Sequence, residues 1–265
     1  MSDQHFTTGD GCRIAYRIDG PDDRPVLALS NSIATNLHMW DCSMPALTLW
    51  FRVLRYDTRG HGGSDAPAGA YAMDRLGRDV VELLDHLAID RAHFLGLSLG
   101  GFIGQWLGIF APERIDRLIL SNTASYLASE LPFDDQIRAA LAAPDMNAIA
   151  DGFMRNWFPA AMLAAPNELI DEFRNMVLTT PPRGLAGCFA ALRDVDLRRA
   201  ISLIAAPTLV IGGESDTVTR ASHSQAIAAT VANAKLVVLR GVHILNVEQA
   251  DRFNSEVLSF LRAAP

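Results

Sequence analysis

Ser98, Asp216 and His243 lie far apart in the chain, yet their types and order are those of nucleophilic acyl transfer. A serine hydroxyl is a poor nucleophile until a base takes its proton, and a histidine base needs a carboxylate to hold its tautomer. Ser98 occupies Gly96-Leu97-Ser98-Leu99-Gly100, a G-x-S-x-G turn between the apolar run "HFLGL" and the amphipathic stretch "GFIGQWLGIF". A strand–turn–helix of this kind exposes a serine on a tight turn, where side chains at the flanking glycine positions would collide with the adjoining strand and helix. Gly101 leaves further room for close approach of helix and strand.

For a serine set in such a turn, acid and base follow later in the chain, the acid first. "GESDTVTR" places Asp216 after the run "TLVIG", and "RGVH" places His243 after "KLVVL". Glu214 is the competing carboxylate; Asp216, followed by Thr217 and Val218, suits the acid turn better. The alternative acid position, after "LILS", is taken by Asn122, which carries no charge. His243 has only Val242, Ile244 and Leu245 around it, the company of a core histidine, but its third place in the order makes it the base. The developing oxyanion needs N–H donors. These are expected from Leu99, next to the nucleophile, and from Ile33 in the loop "SNSIATNLHMW".

Residues so placed need a sheet whose strands all end on one side. Short apolar, β-branched runs predict strands over 13–17, 26–30, 52–57, 93–97, 118–122, 208–212 and 235–239. Apolar residues at three- and four-residue spacing predict helices in "MDRLGRDVVELLDHLAI", "GFIGQWLGIF" and "VEQADRFNSEVLSFLRAA". The alternation argues for an α/β fold with a mostly parallel central sheet flanked by helices. From about Tyr126 to Arg199 the chain reads as helical without a convincing strand. We therefore expect core segments over 1–125 and 201–265, with a helical cap insertion over 126–200 at the carboxyl edge of the sheet.

Bulk properties narrow the partners. The formal net charge is −7, with 23 Lys and Arg against 30 Asp and Glu, and no basic stripe is visible, which argues against nucleic-acid binding. No apolar run is long enough to span a bilayer, and the opening "MSDQHFTTGDG" lacks the pattern of a signal peptide. The three cysteines, Cys12, Cys42 and Cys188, lack CxxC spacing and read as reduced thiols, so the expected location is cytoplasmic. Oligomeric state is not legible from these features.

With these residues located, the chain resembles the α/β-hydrolase superfamily over nearly its whole length, through "RVLRYDTRGHGGSDAP", "GLSLGG", "APERIDRLILSNTA", "PTLVIGGESD" and "GVHILNVEQADRFN". His61, in the Arg59-Gly60-His61-Gly62 turn, takes no catalytic role in that resemblance. Within the superfamily it resembles 3-oxoadipate enol-lactonases, through "LSNSIATNLHMWD", "RNWFPAAML" and "GCFAALRDVDLR". The resemblance implies hydrolysis of a small enol-lactone bearing a carboxylate, with neither metal nor organic cofactor. Ser32, Arg155, Arg193 and Trp157 are then the candidates for substrate binding, the two arginines as partners of that carboxylate. Three departures stand out: Ala34 where glycine is common, and Phe189 and the pair Ile244-Leu245, which are expected to make the pocket narrower or more apolar. A carboxylesterase, a cofactor-free haloperoxidase or perhydrolase, and a hydrolase-fold ligand receptor would share the same motifs.

Overall fold

The computed structural model describes residues 4–263; residues 1–3 and 264–265, at the outer ends of the two expected core segments, lie outside it. Eight strands form one sheet in the order β1-β2-β4-β3-β5-β6-β7-β8. They are β1 (Gln4–Thr7), β2 (Arg13–Asp19), β3 (Val26–Ser30), β4 (Arg52–Tyr56), β5 (Ala92–Leu97), β6 (Ile115–Ser121), β7 (Thr208–Gly213) and β8 (Ala234–Leu239). β1 pairs with β2, and β2 with β4, antiparallel; from β4 to β8 every pairing is parallel.

The near-continuous apolar strands are those covered on both faces. β7 is buried throughout, and β3 and β5 along most of their length. β8 closes the sheet as an edge strand, with Leu236 and Val238 exposed. β1 had no counterpart among the strands expected from the sequence. Its four residues are polar apart from Phe6, the one of them that is buried, so a short edge strand leaves almost no periodic signal.

The helices are α1 (Met44–Leu47), α2 (Met73–His86), α3 (Leu99–Phe110), α4 (Phe133–Ala142), α5 (Asn147–Trp157) and α6 (Ala160–Leu163). They continue as α7 (Glu168–Thr179), α8 (Pro182–Asp194), α9 (Ala221–Thr230), α10 (Leu245–Glu248) and α11 (Ala250–Arg262). Helices α4 to α8 all fall between β6 and β7, so the strandless stretch read from the sequence is a helical excursion between two neighbouring strands. It is seated on the core through a contact of bare backbone. A Cβ on Gly184 of α8 would stand 2.3 Å from the Gly60 carbonyl oxygen, and Gly60 itself has φ +85°. Glycine at both positions lets α8 settle on the turn after β4.

Candidate active site

β5 runs straight into α3 through Ser98, whose φ of 57° and ψ of −112° are strained for a residue with a side chain. The strain persists because the turn is held on every side. The Ser98 N–H donates to the Ser121 carbonyl at 3.0 Å, and the Ser98 carbonyl accepts from the Gly101 N–H at 2.9 Å and from Thr123 Oγ1 at 2.8 Å. The steric argument for the flanking glycines holds in detail. A Cβ at Gly96 would lie 2.0 Å from the Gly100 carbonyl oxygen, and one at Gly100 would lie 2.2 Å from that of Ser30.

Asp216 follows β7, and His243 follows β8, so the pairing of these two parallel strands brings their carboxyl-end loops together. His243 Nδ1 stands 2.8 Å from Asp216 Oδ2, with both side chains buried. Asp216 is saturated with donors. Its Oδ1 accepts from the N–H groups of Val218 and Thr219 at 2.8 and 3.0 Å; its Oδ2 also accepts from Thr219 Oγ1 and Asn122 Nδ2, each at 2.9 Å. Burial works to raise the pKa of this carboxyl, but the adjacent His243, together with the hydrogen bonds from His243, Asn122 and the Thr219 backbone, outweighs it and holds Asp216 below the ordinary carboxylate value.

Asn122 is the residue that sequence reasoning passed over. It was set aside as an uncharged substitute for an acid, yet at the end of β6, beside β7, it donates to Asp216 and, at 3.0 Å, to the Val242 carbonyl. It does so from φ 43°, a conformation asparagine tolerates better than most residues. No signal in the sequence marks it, because the contact depends on β6 lying beside β7.

Ser98 and His243 share one cavity of about 410 Å³ with Ile33, Phe102, Thr217 and Val218 of the core. Helices α4, α5 and α8 contribute much of the rest of the wall, including Phe133, Phe153, Trp157 and Phe189. Of the substrate-binding candidates, Trp157 is in this wall. Ser32 is buried outside it, with its Oγ unpartnered. Arg155 is exposed: α5 turns Ile149, Gly152, Phe153 and Asn156 toward the cavity at three- and four-residue spacing, and position 155 falls on the other face. Arg193 pairs outward with Asp134 and Asp194, at 2.8 and 2.7 Å, in a separate outer cleft. Phe189 lines the cavity as expected, whereas Ile244 and Leu245 are fully buried elsewhere.

The Ile33 loop is tied down by His61, whose Nε2 accepts the Ala34 N–H at 2.9 Å while Nδ1 lies 3.2 Å from the Arg59 carbonyl. Burial lowers the His61 pKa to about 4, so the ring stays neutral and keeps this acceptor. Ala34 holds φ 60°, the conformation in which glycine costs less. Leu99 is the first residue of α3, where helix geometry leaves an N–H without an intrahelical acceptor.

Residues 25–250 match the family described as the alpha/beta hydrolase fold. The chain belongs to the α/β-hydrolase family. It is 37% identical to 3-oxoadipate enol-lactonase 2 of Acinetobacter baylyi over 256 residues, 96% of this chain and 95% of that one. A crystal structure of a hydrolase from Pseudomonas aeruginosa superposes with a TM-score of 0.96 at 54% identity, covering 98% of both chains. The enol-lactonase from Burkholderia xenovorans superposes with a TM-score of 0.94 at 36% identity, covering 98% of this chain and all of its own. This α/β-hydrolase is accordingly an enzyme of a class that acts on small molecules. Among the described residues no helix is long and apolar enough to cross a membrane, and no group of three or more His, Cys, Asp or Glu could hold a metal ion.

Proposed function

We propose that this α/β-hydrolase opens small lactones and esters through an acyl-serine intermediate on Ser98. The observation that carries the reading is the sharing of one cavity by Ser98 and His243, while Asp216 engages the far side of the imidazole. With Nδ1 so engaged, Nε2 is the nitrogen left to take the Ser98 proton. Ser98 Oγ then attacks the substrate carbonyl, and the N–H groups of Ile33 and Leu99 receive the oxyanion. Collapse breaks the acyl–oxygen bond, and the imidazolium returns its proton to the departing oxygen. A water deprotonated by His243 attacks the acyl-serine and restores Ser98.

The lactone preference is supported by the two relatives named as enol-lactonases, at 37% and 36% identity. In this reading the core segments 1–125 and 201–265 carry the chemistry, and the segment 126–200 supplies the substrate wall. The three cysteines are free thiols, which suits a reducing cytoplasm.

The test is Ser98→Ala assayed with a carboxymethyl enol-lactone, dihydrocoumarin and p-nitrophenyl esters, each with and without added peroxide. Turnover is expected to fall by about 10⁴-fold or more on every substrate the parent accepts. Unchanged hydrolysis by the variant overturns the mechanism, and peroxide-dependent halogenation exceeding hydrolysis overturns the reaction class.

A further inference from the structure

The wall around Ser98 has an unusual chemical bias for an enzyme whose resemblance implies a carboxylate-bearing substrate. Among the described residues lining the cavity, none is a lysine or arginine. One side is a run of contiguous rings: Phe133 and Phe189 have centroids 6.1 Å apart, Phe189 and Phe153 6.4 Å, and Phe153 and Trp157 4.7 Å. Leu127, Leu131, Ile149 and Leu192 fill much of the remainder. Beyond Ser98 and His243, the polar lining consists of Gln136, Asn156 and Thr217, none of which can neutralise an anion. Gln136 Oε1 is shielded from solvent and lacks a partner, so the site offers an uncharged amide where a carboxylate would need a cation.

Of the basic residues nearby in sequence, several are committed to acidic partners. Arg193 is paired with Asp134 and Asp194, Arg138 with Asp135, and both Arg220 and His223 with Glu130. Arg155 projects from the outer face of α5. His243, the remaining candidate cation, is already balanced by Asp216. A carboxylate entering this cavity would lose its hydration without gaining a counter-ion, and the net charge of −7 supplies no attraction from a distance.

Resting on the acyl-serine reading, we infer that the group accepted beside the reacting carbonyl is uncharged and largely apolar. The substrate class is neutral lactones and esters with an aliphatic or aromatic acyl part, to the exclusion of carboxylate-bearing enol-lactones. The cavity size of about 410 Å³ accommodates such a group beyond the reacting carbonyl.

The experiment pairs two esters with one leaving group and equal acyl length: p-nitrophenyl pentanoate and the mono-p-nitrophenyl ester of glutaric acid. For the parent enzyme kcat/KM is expected to favour the pentanoate by more than about 30-fold, chiefly through KM. A smaller ratio, or preference for the glutarate ester, overturns the inference. Gln136→Arg places a cation in the wall and is expected to narrow the ratio by about 10-fold or more. An unchanged ratio in folded Gln136→Arg assigns the discrimination elsewhere and also overturns it. Calorimetric binding of both esters to Ser98→Ala reads the same preference without turnover, with the pentanoate expected to bind more than about 30-fold tighter. Equal binding with abolished turnover refutes the inference and leaves the serine mechanism standing. Retained turnover with the neutral preference intact refutes the role of Ser98 and leaves the inference standing.

Discussion

Asn122→Asp is nearly isosteric and keeps a residue tolerant of φ 43°, so it isolates electrostatics at the Asp216–His243 pair. In the parent, the Asn122 amide donates to Asp216 Oδ2 at 2.9 Å. The substitution puts a second carboxyl in that place. Two carboxylates with charge centres about 4 Å apart repel by about 4 kcal/mol at an effective dielectric constant of about 20, close to a thousandfold in proton binding. The folded variant therefore retains a proton between the two carboxyls to higher pH than its unfolded chain does. Because the native state binds the extra proton, stability is present at low pH and lost as pH rises. Because pH 5 already lies above the ordinary carboxylate value, about 2.5 kcal/mol of this is lost between pH 5 and pH 8; at roughly 2–4 °C per kcal/mol for a chain of this size, the melting temperature should fall about 5–10 °C further below the parent at pH 8 than at pH 5. Kinetics supply a second readout. As the pH drops through neutrality the shared proton weakens the hold on the His243 imidazole, so kcat/KM of the variant should begin to fall at a higher pH than the acid limb of the parent. Melting curves parallel to the parent across pH, with superimposed acid limbs, would refute the assigned coupling of Asn122 to Asp216.

Two further outcomes follow from the scaffold. His61 is neutral in the fold at a pKa of about 4, while the unfolded chain takes up its proton near the ordinary value, so stability should drop by about 3 kcal/mol as pH falls from about 6.5 to 4; denaturant titrations should show His61→Gln losing less over that window. Gly100→Ala would press a Cβ to 2.2 Å from the Ser30 carbonyl oxygen, so it should lower the melting temperature and reduce turnover per folded molecule by about 100-fold or more, and parent-like values for both would contradict the packing of the serine turn.

What the amino-acid sequence determined by itself was local. A glycine–serine–glycine turn between an apolar run and an amphipathic one specifies a strained serine, because sterics act over a few bonds. The placement of Ser98, Asp216 and His243 after strands was legible for a related reason: each residue stands just past an apolar run whose end could be read from its turn residues. The periodic signal that revealed seven strands failed for β1, whose four residues bury Phe6 alone. Relations across elements were decided by the tertiary structure. Nothing in "LILSNTAS" announces that Asn122 will steady Asp216, because that contact depends on β6 lying beside β7. Arg155 and Arg193 read as anion partners in the chain, yet helix phase turned one outward, and Asp134 and Asp194 took the other. Phe189 entered the wall while Ile244 and Leu245 packed away from it, because a side chain's direction is set by the backbone that carries it. Short-range sterics thus wrote the strained serine turn into the sequence, while the lining of the cavity it faces was settled by packing among distant segments.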